Sequence, residues 1–171
     1  MPSTACPSSL DSRGLILPLA PPLQALGNMF LGEYKHNLDY KGRTSVPKKF
    51  REDLAAEAIL TKGLDGCLFL YPKGEWERLT AHLRELSVTQ ADTRAFERYL
   101  FGAAAEVEFD SLGRIKIPEY LRSYAALKKE VILVGILERI EIWDTERWSR
   151  LASKLESRGE EIAEKLSEKG V

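Results

Sequence analysis

No stretch of the 171 residues strings together 18 or more apolar side chains, so the sequence offers no helix built to span a bilayer and predicts no membrane partner. Cysteine is scarce: Cys6 and Cys67 stand in unlike contexts, without CxxC spacing or a nearby histidine. That excludes a zinc cage and suits a reducing compartment. His36 and His82 are too few and too isolated to anchor any other metal. Net charge is missing as well: 25 basic against 26 acidic side chains leave −1 at pH 7, which argues against a protein that coats nucleic acid indiscriminately. Local charge must carry any such role. The chemistry of catalysis is equally thin. There is no glycine loop to cradle a phosphate and no metal-ligand spacing. Asp39 and Asp110 could be imagined as an acid–base pair, but each has an arginine four residues on and no nucleophile beside it. The sequence reads as a non-enzyme without cofactor or metal.

What is present is a repeat. Asp39-Tyr-Lys-Gly-Arg-Thr-Ser-Val-Pro47 returns as Asp110-Ser-Leu-Gly-Arg-Ile-Lys-Ile-Pro118, with Asp, Gly, Arg and Pro all offset by 71. One inserted residue later, Gly63/Gly135, Leu70/Ile142, Tyr71/Trp143, Trp76/Trp148 and Leu79/Leu151 keep an offset of 72. Units of this size are too long for a solenoid and too small to bury a core comfortably alone, so they predict two half-domains sharing one core. With 44% hydrophobic and 30% charged residues, the composition is that of a soluble globular protein.

Residues 1–28 differ from the rest, holding five of the eight prolines but one Arg and one Asp. Pro18, Pro21 and Pro22 interrupt the apolar run that a secretion signal would need, so a disordered leader is expected, or a start upstream of the native one at Met29. Strands are expected at 34–38 and 43–46, joined as a hairpin through a turn at Gly42, followed by Pro47 and a short helix over 48–55. A second hairpin is expected at 58–61 and 67–71, around two glycines. Helical spacing recurs over 75–87 and 91–105. The second unit repeats the order: strands at 106–109 and 114–117 about Gly113, a short helix after Pro118, then strands at 131–134 and 139–143 around Gly135. Asp144 suits the cap of a last helix, whose tail carries six basic and six acidic residues between 145 and 171. Trp76 and Trp148 are expected in packing, not as a platform for bases.

Charge separates the two copies. Residues 33–51 hold six basic side chains against two acidic ones, a net of +4, whereas 104–122 hold three against four, a net of −1. A two-stranded ribbon fits a DNA major groove, and arginine takes a guanine edge bidentately. Arg43 is the first candidate for that contact, with Lys41, Lys48, Lys49 and Arg51 on phosphates. Asp39, Gly42, Asp110 and Gly113 are motif residues expected to shape the turns, and an Asp–Arg pair across a turn can equally be a local salt bridge, above all at Arg114.

The doubled Asp-x-x-Gly-Arg, the opening Met29-Phe-Leu-Gly-Glu-Tyr and the run from Asp39 to Arg51 closely resemble the bacterial MraZ family over about residues 29–165. The resemblance implies an α+β fold of two AbrB-like (SpoVT-AbrB) swapped-hairpin β-barrel halves in one chain, with peripheral helices and a C-terminal helix. The halves fall at 33–75 and 104–147, the linking helices at 76–103, and the C-terminal helix and tail at 148–171. It further implies a cytoplasmic, nucleoid-associated transcriptional regulator that forms ring-shaped homo-oligomers. Such proteins bind double-stranded DNA at tandem direct repeats upstream of their own division and cell-wall operon, usually repressing it. The DNA-contacting role then falls on Arg43 and its neighbours, and on Arg114. A ring-forming scaffold or protein-interaction module without DNA binding is the alternative.

Overall fold

The computed structural model describes residues 29–54 and 57–168, so the leader expected over 1–28 lies outside the described residues. The chain runs β1 (Phe30–Asn37), β2 (Arg43–Ser45), α1 (Lys48–Leu54), β3 (Glu57–Lys62), β4 (Leu68–Pro72), α2 (Lys73–Arg84) and α3 (Ala91–Leu100). The second repeat then supplies β5 (Ala105–Glu108), β6 (Arg114–Lys116), α4 (Glu119–Ala125), β7 (Glu130–Leu137), β8 (Arg139–Asp144) and α5 (Thr145–Ser167). This is an α+β fold built on two copies of one unit.

The copies interleave. Six antiparallel strands form one sheet in the order β1-β7-β8-β4-β3-β5, and β2 pairs with β6 in a separate two-stranded ribbon. The first strand of each repeat therefore lies against the third strand of the other, β1 on β7 and β5 on β3, and the second strands meet each other. The expected hairpin of 34–38 with 43–46 is corrected by this register. Residues 39–43 do turn, but the two arms touch only at a Leu38–Thr44 bridge before β2 crosses to β6. The hairpins of 58–61 with 67–71 and 131–134 with 139–143 are present as β3–β4 and β7–β8. Among the described residues β1 and β5 are not paired with each other, so the strands do not close into a barrel.

Strand composition explains the layers. Along β4, Leu68 and Leu70 face one way and Phe69 and Tyr71 the other; along β7, Val131 and Leu133 oppose Ile132 and Val134. Both faces of the central strands are thus buried, which is why they read as continuous apolar runs rather than as an alternation. The inner face packs on the ribbon and the short helices, gathering Phe30, Phe50, Leu54, Leu60, Ile115, Ile117 and Leu121 into one cluster. Burying Ile115 and Ile117 completely stabilises the fold by about 2 kcal/mol each. On the outer face Trp76 and Leu79 of α2 and Trp148 and Leu151 of α5 cover Phe69, Tyr71 and Trp143. The tryptophans repeat in geometry as in sequence, with Tyr71–Trp76 centroids 5.9 Å apart at 50° and Trp143–Trp148 5.7 Å apart at 49°. They are packing residues.

The two repeats end differently. α2 stops at Arg84 and α3 folds back, its last turn tied to the β3–β4 hairpin by Thr61 Oγ1 donating to the Leu100 carbonyl and Tyr99 donating to that of Gly63. α5 continues unbroken through Gly159 to Ser167. Its cap is the expected one: Asp144 Oδ1 accepts from the Glu146 and Arg147 amides at 3.1 and 3.4 Å. Among the described residues no helix is long and apolar enough to cross a membrane.

Gly135, expected in a turn, lies within β7, and the chain reverses at Leu137 and Glu138 instead. Its role is close approach. A Cβ there would stand 2.5 Å from the Phe30 carbonyl carbon and 2.6 Å from the Leu31 nitrogen, both backbone atoms of β1. Gly135→Ala should therefore push β1 off the sheet and cost about 2 kcal/mol or more, read as a lowered urea midpoint. An unchanged midpoint would show that β1 yields freely.

Candidate nucleic-acid interface

The ribbon is three residues per strand, with Arg43 opposite Lys116, Thr44 opposite Ile115 and Ser45 opposite Arg114. Because side chains alternate along a strand, Thr44 and Ile115 point into the core and are fully buried, leaving Arg43, Ser45, Arg114 and Lys116 on the outer face. Each end of the ribbon is closed by the turn of the other repeat. The Val46 amide donates to the Gly113 carbonyl at 3.1 Å, and the Ile117 amide to that of Gly42 at 2.9 Å.

The motif aspartates build the turns. Asp39 Oδ1 accepts from the Lys41 and Arg43 amides, both at 2.9 Å, and Asp110 Oδ1 accepts from Leu112 and Arg114, both at 3.0 Å. Gly42 and Gly113 sit at φ +73° and +70°, a conformation that costs a side-chain-bearing residue about 1 kcal/mol or more. The second carboxylate oxygens hold the arginines. Arg43 places Nε and Nη2 both 2.8 Å from Asp39 Oδ2, and Arg114 places the same atoms 2.8 and 2.7 Å from Asp110 Oδ2. Each guanidinium then reaches across the ribbon, Arg43 Nη1 to Asp110 and Arg114 Nη1 to Asp39, at 3.7 Å in both cases. Four charges of two signs form one neutral quartet across the pseudo-twofold axis.

The quartet fixes protonation. Hydrogen bonds from the Arg114 side chain and amide pull the Asp110 carboxyl down to about 2, and those of Arg43, its amide first, lower Asp39. Both side chains keep about a quarter to a third of their exposure, so the gain is partly screened by water.

The six basic residues expected at an interface separate into three environments. Lys41, Lys48 and Lys49 are open to solvent: Lys41 stands beside the Tyr40 ring, and Lys48 has only a loose contact with Glu52 at 3.9 Å. Arg43 and Arg114 are equivalent members of the quartet, with side-chain exposures of 26% and 25%. Arg51 lies inward, its Nε buried without a hydrogen-bond partner and its guanidinium laid on Gly113. Arg122 does the same on Gly42 and also pairs with Glu119.

Two residues escaped the sequence reading. Arg122 stands 71 residues after Arg51, the offset of the motif itself, so the repeat already marked these two arginines as a pair that seats the opposite turns. Lys116 lies directly across from Arg43 and is exposed, but only the β2–β6 pairing reveals it. Beside the ribbon runs a groove of about 910 Å³ lined by Lys41, Lys116 and Arg122 but also by Glu106, Glu108 and Glu119. That balance gives no preference for a bound anion. Among the described residues no group of three or more His, Cys, Asp or Glu could hold a metal ion.

A carboxyl depressed in the folded state adds stability above its unfolded value, near 4, and loses it as pH falls through its folded value. The ribbon should therefore weaken between about pH 4 and about 2, the window set by Asp110. Thermal melts across that range should show a steeper acid loss for the natural chain than for Asp110→Asn. Parallel curves would mean that the quartet adds nothing.

Comparison with known proteins places the chain. A family model described as "MraZ protein, putative antitoxin-like" matches twice, over residues 29–99 and 100–168. A protein of Heliobacterium modesticaldum named Transcriptional regulator MraZ is 51% identical over 138 residues, covering 81% of this chain and 96% of its own. Proteins of the same name from Syntrophomonas wolfei and Acetivibrio thermocellus are 48% and 50% identical over 143 residues, 84% of this chain and 100% of theirs. With both repeats matched and half the residues shared along nearly the whole of its relatives, this chain belongs to the MraZ family.

Proposed function

We propose that this chain is a sequence-specific DNA-binding regulator of transcription, with the β2–β6 ribbon as the element that enters the major groove. Its relatives are named transcriptional regulators. The observation that carries the reading is the ribbon's outer face, where Arg43, Arg114 and Lys116 stand together on a rigid two-stranded support, flanked by solvent-facing Lys41, Lys48 and Lys49. A two-stranded ribbon is one of the shapes a major groove admits.

Roles divide by environment. Lys41, Lys48, Lys49 and Lys116 meet phosphates, which positions the ribbon without reading sequence. Arg43 and Arg114 keep further N–H groups beyond those given to the aspartates, and a guanidinium already held in one orientation loses less freedom on meeting a guanine edge. Arg51 and Arg122 support from below. The two halves, 33–75 and 104–147, act as one reading unit, with the linking helices at 76–103 and the C-terminal helix and tail at 148–171 as support, of which Trp76, Leu79, Trp148 and Leu151 pack on the opposite face of the sheet.

A chain of nearly zero net charge holds DNA weakly by itself. Assembly into a ring of identical subunits would present the ribbon at regular intervals, so that several weak contacts act at high effective concentration. This fits a repressor acting on tandem direct repeats at the promoter of its own division and cell-wall operon, in the cytoplasm and on the nucleoid. One observation favours a second reading: the quartet satisfies the doubled motif internally and is neutral, as a ring-forming scaffold without DNA would need.

Salt separates the two. In a mobility-shift titration on DNA upstream of the chain's own gene, affinity should fall by about 10³-fold or more between about 50 and about 200 mM salt, as released counterions require. Replacing Lys41, Lys48 and Lys49 together by Ala should flatten that slope by about three phosphate contacts. Arg43→Ala should abolish operator binding and leave the oligomer's size unchanged. Binding indifferent to salt and to all four substitutions would leave the scaffold.

A further inference from the structure

The scaffold of the two turns is matched bond for bond, and the tips it carries are not. Between Asp39 and Gly42 stand Tyr40 and Lys41; between Asp110 and Gly113 stand Ser111 and Leu112. Tyr40 is 89% exposed, the most open of the large hydrophobic side chains described, and the Lys41 ammonium lies 5.5 Å from its ring centroid. Aromatic and cation are thus presented side by side. Leu112, 66% exposed, occupies the Lys41 position of the other turn and brings no charge.

Folding does not ask for a tyrosine here. The bonds that shape the first turn run from the Lys41 and Arg43 amides to Asp39, and the second turn makes the same bonds with serine at the equivalent of residue 40. The ring touches no buried cluster, so it keeps its hydration cost and returns nothing to the core. What it has is position. It stands at one extremity of the ribbon, where a partner that enters along the ribbon is met first.

We propose that Tyr40, seconded by Lys41, is the specificity-determining tip of the ribbon. The ring packs on base edges at one end of the bound DNA segment while Lys41 takes the adjacent phosphate. This rests on the ribbon being the element that enters DNA. The opposite tip, Ser111–Leu112, offers an apolar contact but no cation, so the two ends of the pseudo-twofold ribbon are unlike. A ribbon alike at both ends could sit on DNA in either sense. Unlike ends give the bound segment a direction, and chains that act side by side in the same sense then need their sites laid out head to tail.

Fluorescence anisotropy tests this with three labelled duplexes: the upstream DNA, the same DNA with one site inverted, and a scrambled sequence. Tyr40→Ser should weaken binding to the first by about tenfold and leave the scrambled duplex unchanged, because a lost base contact removes discrimination rather than charge. Tyr40→Phe, which keeps the ring, should restore most of the loss. The tip exchange S111Y/L112K, which makes both ends alike, should narrow the preference for the natural arrangement over the inverted one. Natural affinities for Tyr40→Ser on all three duplexes, with the unsubstituted chain binding normally, overturn the tip assignment and leave the ribbon reading standing. Tyr40→Ser that changes subunit number in sedimentation, with DNA affinity intact, places the ring between subunits and overturns it equally. An unsubstituted chain that binds none of the three removes the ribbon reading and this inference with it.

Discussion

The structure depends on a crossing of two strands that belong to different halves of the sequence. β2 and β6 share only three residue pairs, too few to stand alone in water. Three things hold them: Thr44 and Ile115 buried beneath, the glycine carbonyls of each turn accepting from the end of the other strand, and the aspartate–arginine quartet above. Each of these reaches from one repeat to the other. Neither half could complete its own ribbon, its own edge pairing or its own inner core.

The duplication uses one motif twice as the same scaffold. Its Asp, Gly and Arg are occupied in shaping turns and neutralising one another, identically in both copies. The scaffold leaves other positions of each copy free to differ. These are where the copies diverge: Tyr40 and Lys41 against Ser111 and Leu112, Lys48 and Lys49 against Glu119 and Tyr120. The charge difference of the two spans is therefore a difference between decorations on one frame.

Much of this was legible in the residues. The fixed spacing of Asp, Gly, Arg and Pro located both turns and the helices after Pro47 and Pro118, because only a few backbone conformations accept those residues in that order. Asp144 announced the last helix, and Trp76 and Trp148 announced equivalent packing. What could not be read was pairing between distant segments. A strand at 34–38 followed by a glycine turn and a strand at 43–46 carries every local signal of a hairpin, and nothing local says that the second arm departs for β6. Gly135 misled for a similar reason: the β1 backbone that a Cβ there would strike, at Phe30 and Leu31, lies about a hundred residues away in sequence. Arg43 was legible as a cation but not as a member of a quartet, since the second carboxylate it meets belongs to the other repeat. The same holds for the seating of Arg51 and Arg122 on opposite turns.

The central claim is that the ribbon makes the two repeats one cooperative unit. Native-state hydrogen exchange at the Val46 and Ile117 amides tests it most directly, because these donate to Gly113 and Gly42 and can exchange only when the repeats part. The account predicts that both exchange only through global unfolding, with the same free energy as core amides of β4 and β8. Exchange of either at far lower cost, while those core amides stay protected, would show that the ribbon opens alone and that the halves do not depend on it.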